Sequence, residues 1–123
     1  MVDILPYVAE ILKETGVQVE LAENDFSGSL PLVTMLEVSN ISAVITEASE
    51  QVSDISIQLD IYANSPEEAQ TLAGVISSLL IAHGFRRDAG QLMKENNMWR
   101  RMEQYSCYVD SQNRIYSGSD LLI

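Results

Sequence analysis

Ile4, Leu5, Val8, Ile11 and Leu12 recur at the three- and four-residue intervals of a helix, with Glu10, Lys13 and Glu14 on the opposite face and Gly16 at the end. This spacing predicts an amphipathic first helix that begins just after Asp3. Residues 17 to 21, VQVEL, alternate apolar and polar and predict a short strand. The segment 22 to 30, AENDFSGSL, has the Asn, Asp, Ser and Gly content of an exposed loop. Pro31 then opens a second strand-like run, PLVTMLEVS, and residues 41 to 47, ISAVITE, read as a further strand able to pair with it.

Alternation is cleanest over residues 53 to 63. There Ile55, Ile57, Leu59 and Ile61 take turns with Ser56, Gln58, Asp60 and Tyr62, so one face of a sheet is apolar and the other largely polar. The apolar face needs a cover, and the next segment supplies it. Ser65, Pro66 at the first helical position and Glu68 form a capping-box signature, and Ala69, Leu72, Ala73, Ile76, Leu79, Leu80 and His83 follow helical spacing. A second helix from Pro66 to His83 is predicted, stopped by Gly84.

Residues 86 to 97, RRDAGQLMKENN, are polar and rich in Gly and Asn, and read as a long excursion that orders on binding. Alternation resumes at residues 98 to 109, MWRRMEQYSCYV, which place Trp99, Arg101, Glu103, Tyr105, Cys107 and Val109 on one strand face. Asp110 to Arg114 read as a turn, and Ile115 with Tyr116 as a returning hairpin strand. The pattern predicts one α+β domain over residues 1 to 123, a mostly antiparallel sheet with two main helices packed on one face.

Charge divides this chain unevenly. Residues 1 to 85 hold thirteen acids and a single base, Lys13, a balance of −12, whereas residues 86 to 123 hold six bases and five acids, a balance of +1. So acidic a body argues against general nucleic-acid binding, which needs clustered Lys and Arg at the phosphates. The basic segment instead suits an acidic protein surface, and identical copies each carry both surfaces. An ordinary solvated loop is the alternative reading of the same charges. With one cysteine, Cys107, no intrachain disulfide can form, and the sequence has neither a leader pattern nor an apolar run long enough for a membrane span. A cytoplasmic protein is expected.

The chemistry-bearing residues are few. His83 is the single histidine and falls in the last turn of the predicted second helix, where a structural role is expected, as a cap or in the core. Cys107 lies mid-strand among aromatics and reads as a small buried hydrophobe. Two such residues cannot supply a zinc site. Glu23, Asp25, Ser27 and Gly28 imitate the start of a calcium loop, but Thr34 stands at its twelfth position and Pro31 interrupts it. Neither Gly-rich phosphate fingerprint occurs. Glu67 and Glu68 already have a role at a helix N-terminus. Trp99, Tyr105, Tyr108 and Tyr116 with Arg100 and Arg101 have the composition of a base-stacking surface, though the acidic balance favours sheet packing for them. The sequence therefore predicts no enzyme, no metal and no cofactor, and a binding or assembly role.

The run IQLDIYANSPEEAQTLAGVISSLLIAHGFRR, followed by the alternating strand WRRMEQYSCYVD and the closing NRIYS, resembles the tail-terminator and tail-completion proteins of long-tailed bacteriophages and prophages. The likeness spans residues 50 to 118 and lies in layout rather than in one motif. It implies a ring, commonly a hexamer, that sits on the last ring of the tail tube, ends tube growth and presents the surface joining the head. The implied partners are further copies of itself, tail-tube proteins and head-connector proteins, with no nucleic acid and no membrane. The implied location is the host cytoplasm during assembly and the virion tail afterwards. On this reading Arg86, Arg87, Arg100 and Arg101 lie on one subunit edge facing acids of a neighbour, and Asp25 and Phe26 belong to a second contact loop. A small ligand-binding or regulatory α+β module, with a cleft between sheet and second helix, is the competing expectation.

Overall fold

The computed structural model describes residues 3–22, 29–44, 51–110 and 112–116. Helix α1 spans Leu5–Leu12 and runs into a 3₁₀ turn at Lys13–Thr15, and strand β1 follows at Gln18–Leu21. Strands β2 (Leu32–Val44) and β3 (Gln51–Ala63) form a long antiparallel pair. Helix α2 covers Pro66–Ala82, and β4 (Arg86–Glu95), β5 (Met98–Val109) and β6 (Ile115–Tyr116) complete the described elements. The sheet has the order β1-β2-β3-β5-β4, with β6 beside β5. Every described pairing is antiparallel except β1 with β2, so the fold is α+β with both helices on one face, as the pattern predicted.

Period two puts Ile55, Ile57, Leu59 and Ile61 of β3 and Tyr105, Cys107 and Val109 of β5 on the helix side, where all are buried. Val33 and Met35 of β2 join them. Against this floor α2 sets Ala69, Ala73, Ile76 and Leu80, and α1 sets Val8, Ile11 and Leu12. Fully burying one such Ile or Leu contributes about 1.5–3 kcal/mol, so the layer itself is the main source of stability.

Both ends of α2 use backbone chemistry legible in the sequence. The Ser65 hydroxyl accepts from the Glu68 N–H at 3.1 Å, and the Glu68 carboxylate reaches back to accept from the Asn64 N–H at 3.0 Å, one residue beyond the usual reciprocal bond. At the other end the Phe85 N–H donates to the Leu80 carbonyl and the Gly84 N–H to that of Ile81. Gly84, at φ +94°, makes this closure possible; a Cβ there would also meet Ile115 at 3.0 Å.

Two expectations are corrected. Residues 86 to 95 are a strand, not an excursion: β4 pairs along β5 from Arg86↔Ser106 to Glu95↔Met98, and a two-residue turn at Asn96 and Asn97, Asn96 at φ +56°, closes the hairpin. None of the β4 side chains is buried, so backbone pairing rather than apolar burial holds it, and composition carried no sign of it. Residues 41 to 44 are likewise not a separate strand pairing with the Pro31 run but the continuation of β2, paired with β3 past a bulge between Glu37 and Ser39. The remaining residues of that segment, 45 to 47, and most of the predicted 22 to 30 loop lie outside the described residues.

Candidate functional site

On the side of the sheet away from the helices, β3 and β5 face each other with polar side chains: Ser56 opposite Ser106, Gln58 opposite Gln104, Tyr62 opposite Arg100. They connect into a ladder. Gln104 donates to Gln58 at 3.4 Å, Gln58 donates to Asp60 at 3.1 Å, and the Arg100 Nε donates to Asp60 Oδ1 at 3.0 Å. Arg100 also reaches Glu95 at 3.3 Å, and its guanidinium lies 5.8 Å from the Tyr62 ring centre. The Asp60 hydrogen bond is the main reason that the Arg100 guanidinium is held above its ordinary pKa. Burial pushes the Tyr62 phenol up, and Arg100 partly offsets this. At the other end of the ladder Arg86 donates to the Ser106 hydroxyl at 2.6 Å and to Asp88 at 2.9 Å.

A second charged group sits on the helix side, near the β4 edge. Glu103 is 2% exposed, with the Arg87 Nη2 at 3.0 Å and the Arg101 Nε at 3.6 Å, beyond hydrogen-bond reach. Gly90 lies directly across from Glu103, and a Cβ there would collide with the Glu103 carboxylate and the Arg87 guanidinium. The missing side chain is what lets this cluster lie flat on β4.

Of the residues that the sequence singled out, Arg86 and Arg87 are on the edge strand β4, while Arg100 and Arg101 are one strand further in, on β5. Alternation sends Arg86 and Arg100 to the open face and Arg87 and Arg101 to the helix face. The structure brings Arg87 and Arg101 together at Glu103 and separates them from the other two, and each of the four is ion-paired within its own subunit. Asp25 and Phe26 lie outside the described residues. The acids that answer the arginines, Asp60 and Glu103, were not singled out from the sequence; Asp60 pairs with Met102 and reaches Arg100 diagonally, and Glu103 pairs with Gly90 and reaches Arg87 diagonally, relations that need the strand register.

Trp99, Tyr105 and Tyr108 do not share a surface. Tyr105 is fully buried under the helices and Tyr108 points to the other face. His83 caps α2, its Nδ1 2.8 Å from the Leu79 carbonyl. Beside it a cleft of about 770 Å³ opens between the start of α1, the end of α2 and the turn before β6, with Asp3, Tyr7, His83, Asn113 and Ile115 on its walls. That turn is tied by Asp110, which accepts from the N–H groups of Gln112 and Arg114 and from the Arg114 side chain at 2.7 Å.

Burial pushes the Cys107 thiol up to about 12, with the Asp54 carboxylate adding to the shift. The folded chain therefore binds this proton more tightly than the unfolded chain, whose ordinary value is 9.0. Stability is expected to be fully retained below that ordinary value and lost progressively as pH rises towards 12. Tyr105, also raised by burial, acts in the same direction. The check is urea unfolding of the protein and of Cys107→Ala across the alkaline range: the variant's stability should fall less steeply with pH.

The sequence matches no protein-family model and none of the curated protein sequences. Among solved structures, a chain of the virion of a native gene transfer agent particle shares the fold, with a TM-score of 0.53 over 87% of this chain and 89% of that chain, at 12% sequence identity. The class that fold and surfaces define is a small α+β fold with helices on one sheet face and a polar ladder on the other.

Proposed function

We propose that this chain is a virion structural protein of tail-terminator or tail-completion type, which forms a ring, of hexameric size, at the end of the tail tube and joins the tube to the head. The observation that carries this reading is the fold shared with a chain of a gene transfer agent virion over nearly the whole of both chains. The layout of residues 50 to 118, which resembles tail-terminator proteins, points the same way. The role requires no covalent chemistry, metal or cofactor, and its partners are copies of the chain, the tube and the head connector, with neither nucleic acid nor membrane. The chain would work in the host cytoplasm during assembly and remain in the virion tail.

The test is antibody labelling of particles released by the cells that encode this chain, viewed by electron microscopy. Label confined to the junction of head and tail is expected. Particles that carry no label would overturn the reading. A second reading, a small ligand-binding module, is supported by the cleft beside Tyr7 and His83; a metabolite that raises the melting temperature by mass action would favour it.

A further inference from the structure

Apart from the four-residue outer edge of β1, the sheet has two longer strand edges that no described strand covers. One is β4, last in the strand order. The other is the far half of β2: β1 pairs with it only from Leu32 to Met35, leaving Leu36–Val44 without a described partner on that side. Along this second edge three apolar side chains stand in solvent, Leu36 at 43%, Val38 at 52% and Ile41 at 60% exposure. Open edges with exposed apolar residues are templates for another strand.

We propose that β4 of one subunit pairs antiparallel with the Leu36–Val44 edge of β2 in a second copy of this chain, so that the sheet continues from subunit to subunit. This deepens the ring reading and rests on it for the choice of partner. Four features of the chain support it. Three successive antiparallel steps, β2 to β3 to β5 to β4, make β4 run opposite to β2. A copy rotated about an axis along the strands therefore presents its β2 in the antiparallel sense, with its helices kept on the same side. The two edges are also alike in length, Arg86–Glu95 against Leu36–Val44.

Charge favours the same match. β4 carries Arg86, Arg87 and Lys94 against Asp88 and Glu95, whereas β1 and β2 carry only acids, Glu20 and Glu37. Finally, each strand has one bulge, where Val38 and Asp88 stand outside the pairing register. Bulges bend a sheet, which a closed ring of sheets needs. A two-fold pairing of β4 with β4 would leave the β2 edge open in both copies; head-to-tail pairing covers both edges in every copy.

The experiment uses the full chain with one edge blocked at a time. Val38→Lys with Ile41→Lys places charges on the exposed β2 edge. For β4, Gln91→Pro and Leu92→Pro are both made, because successive N–H groups point to opposite sides of a strand and one of the two proline variants spares the pairing with β5. The variant that keeps the wild-type circular dichroism spectrum and unfolding midpoint is carried forward.

By light scattering on a sizing column, the wild type is expected to exceed a dimer at high concentration and each blocked variant to be monomeric. An equimolar mixture of the two variants should form a dimer of one each and stop there, since each supplies the edge that the other lacks. A wild type that stays monomeric at every concentration overturns the pairing, as does an oligomer that survives the β2 block or a mixture that stays monomeric. Any of these results would leave the particle labelling above intact, so the failure of the edge pairing and of the virion reading are told apart.

Discussion

Glu103→Ala is expected to lower the free energy of unfolding by about 3 kcal/mol, at the lower end of the roughly 3–5 kcal/mol found when one partner of a buried ion pair is removed. The Glu103 carboxylate, 2% exposed, is what separates the guanidinium groups of Arg87 and Arg101. Without it two cations face each other beside apolar packing, and the Arg101 Nε, already buried with no hydrogen-bond partner, loses its nearest counter-charge. Arg87 has an escape, since its side chain is 39% exposed and can swing into water, and this keeps the effect at the lower end. Arg87→Met should cost less than Glu103→Ala, because Arg101 remains to face the carboxylate. Urea unfolding of the three proteins at neutral pH reads the order directly. Equal losses would show that the cluster is not organised around the acid.

Phe85→Ala is expected to be at least as damaging, by about 3–5 kcal/mol, through the cavity it leaves. Phe85 follows the Gly84 closure and drops straight into the core, 1% exposed, with its ring 6.5 Å from that of Tyr7 in a stacked arrangement. It thereby ties the end of α2 to α1 as well as to the sheet. Alanine keeps the backbone closure, so the loss is one of packing alone. Phe85→Leu refills much of the space and should cost less than about 1.5 kcal/mol. A calorimetric melt of the two variants separates these outcomes, and a small loss for alanine would mean that α1 moves in to fill the gap.

The elements whose partners lie close in sequence are legible in the order of residues. The α2 helix carries its own start and stop in Ser65, Pro66, Glu68 and Gly84, all acting on backbone groups within a few residues. The β3 strand shows its buried face through Ile55, Ile57, Leu59 and Ile61, because one side of it meets the core and the other polar neighbours. The Asp110 turn and the short β6 return are legible for the same reason. The resemblance to tail-terminator proteins rests on this local layout, and the fold shared with a virion chain is a separate likeness that spans most of the molecule.

The β4 strand shows what local pattern misses. An edge strand with no buried side chain needs only backbone groups from a neighbour, and backbone groups are the same in every residue, so the order of side chains left no trace. The arginines show the same limit in charge. The balance of +1 over residues 86 to 123 says nothing of which acid each base meets: Asp60 lies forty positions before Arg100 and answers it across the sheet.

Periodicity and near neighbours along the chain are enough to specify the helices, the buried faces of the strands, the acidic character and the unreactive setting of Cys107. That β2 is one long strand, that β4 is an edge, and that the four arginines divide between two faces with partners of their own follows only from the three-dimensional arrangement. The reason is physical: strand register joins residues by distance in space, and a pairing between residues tens of positions apart is set by the packing of the whole sheet.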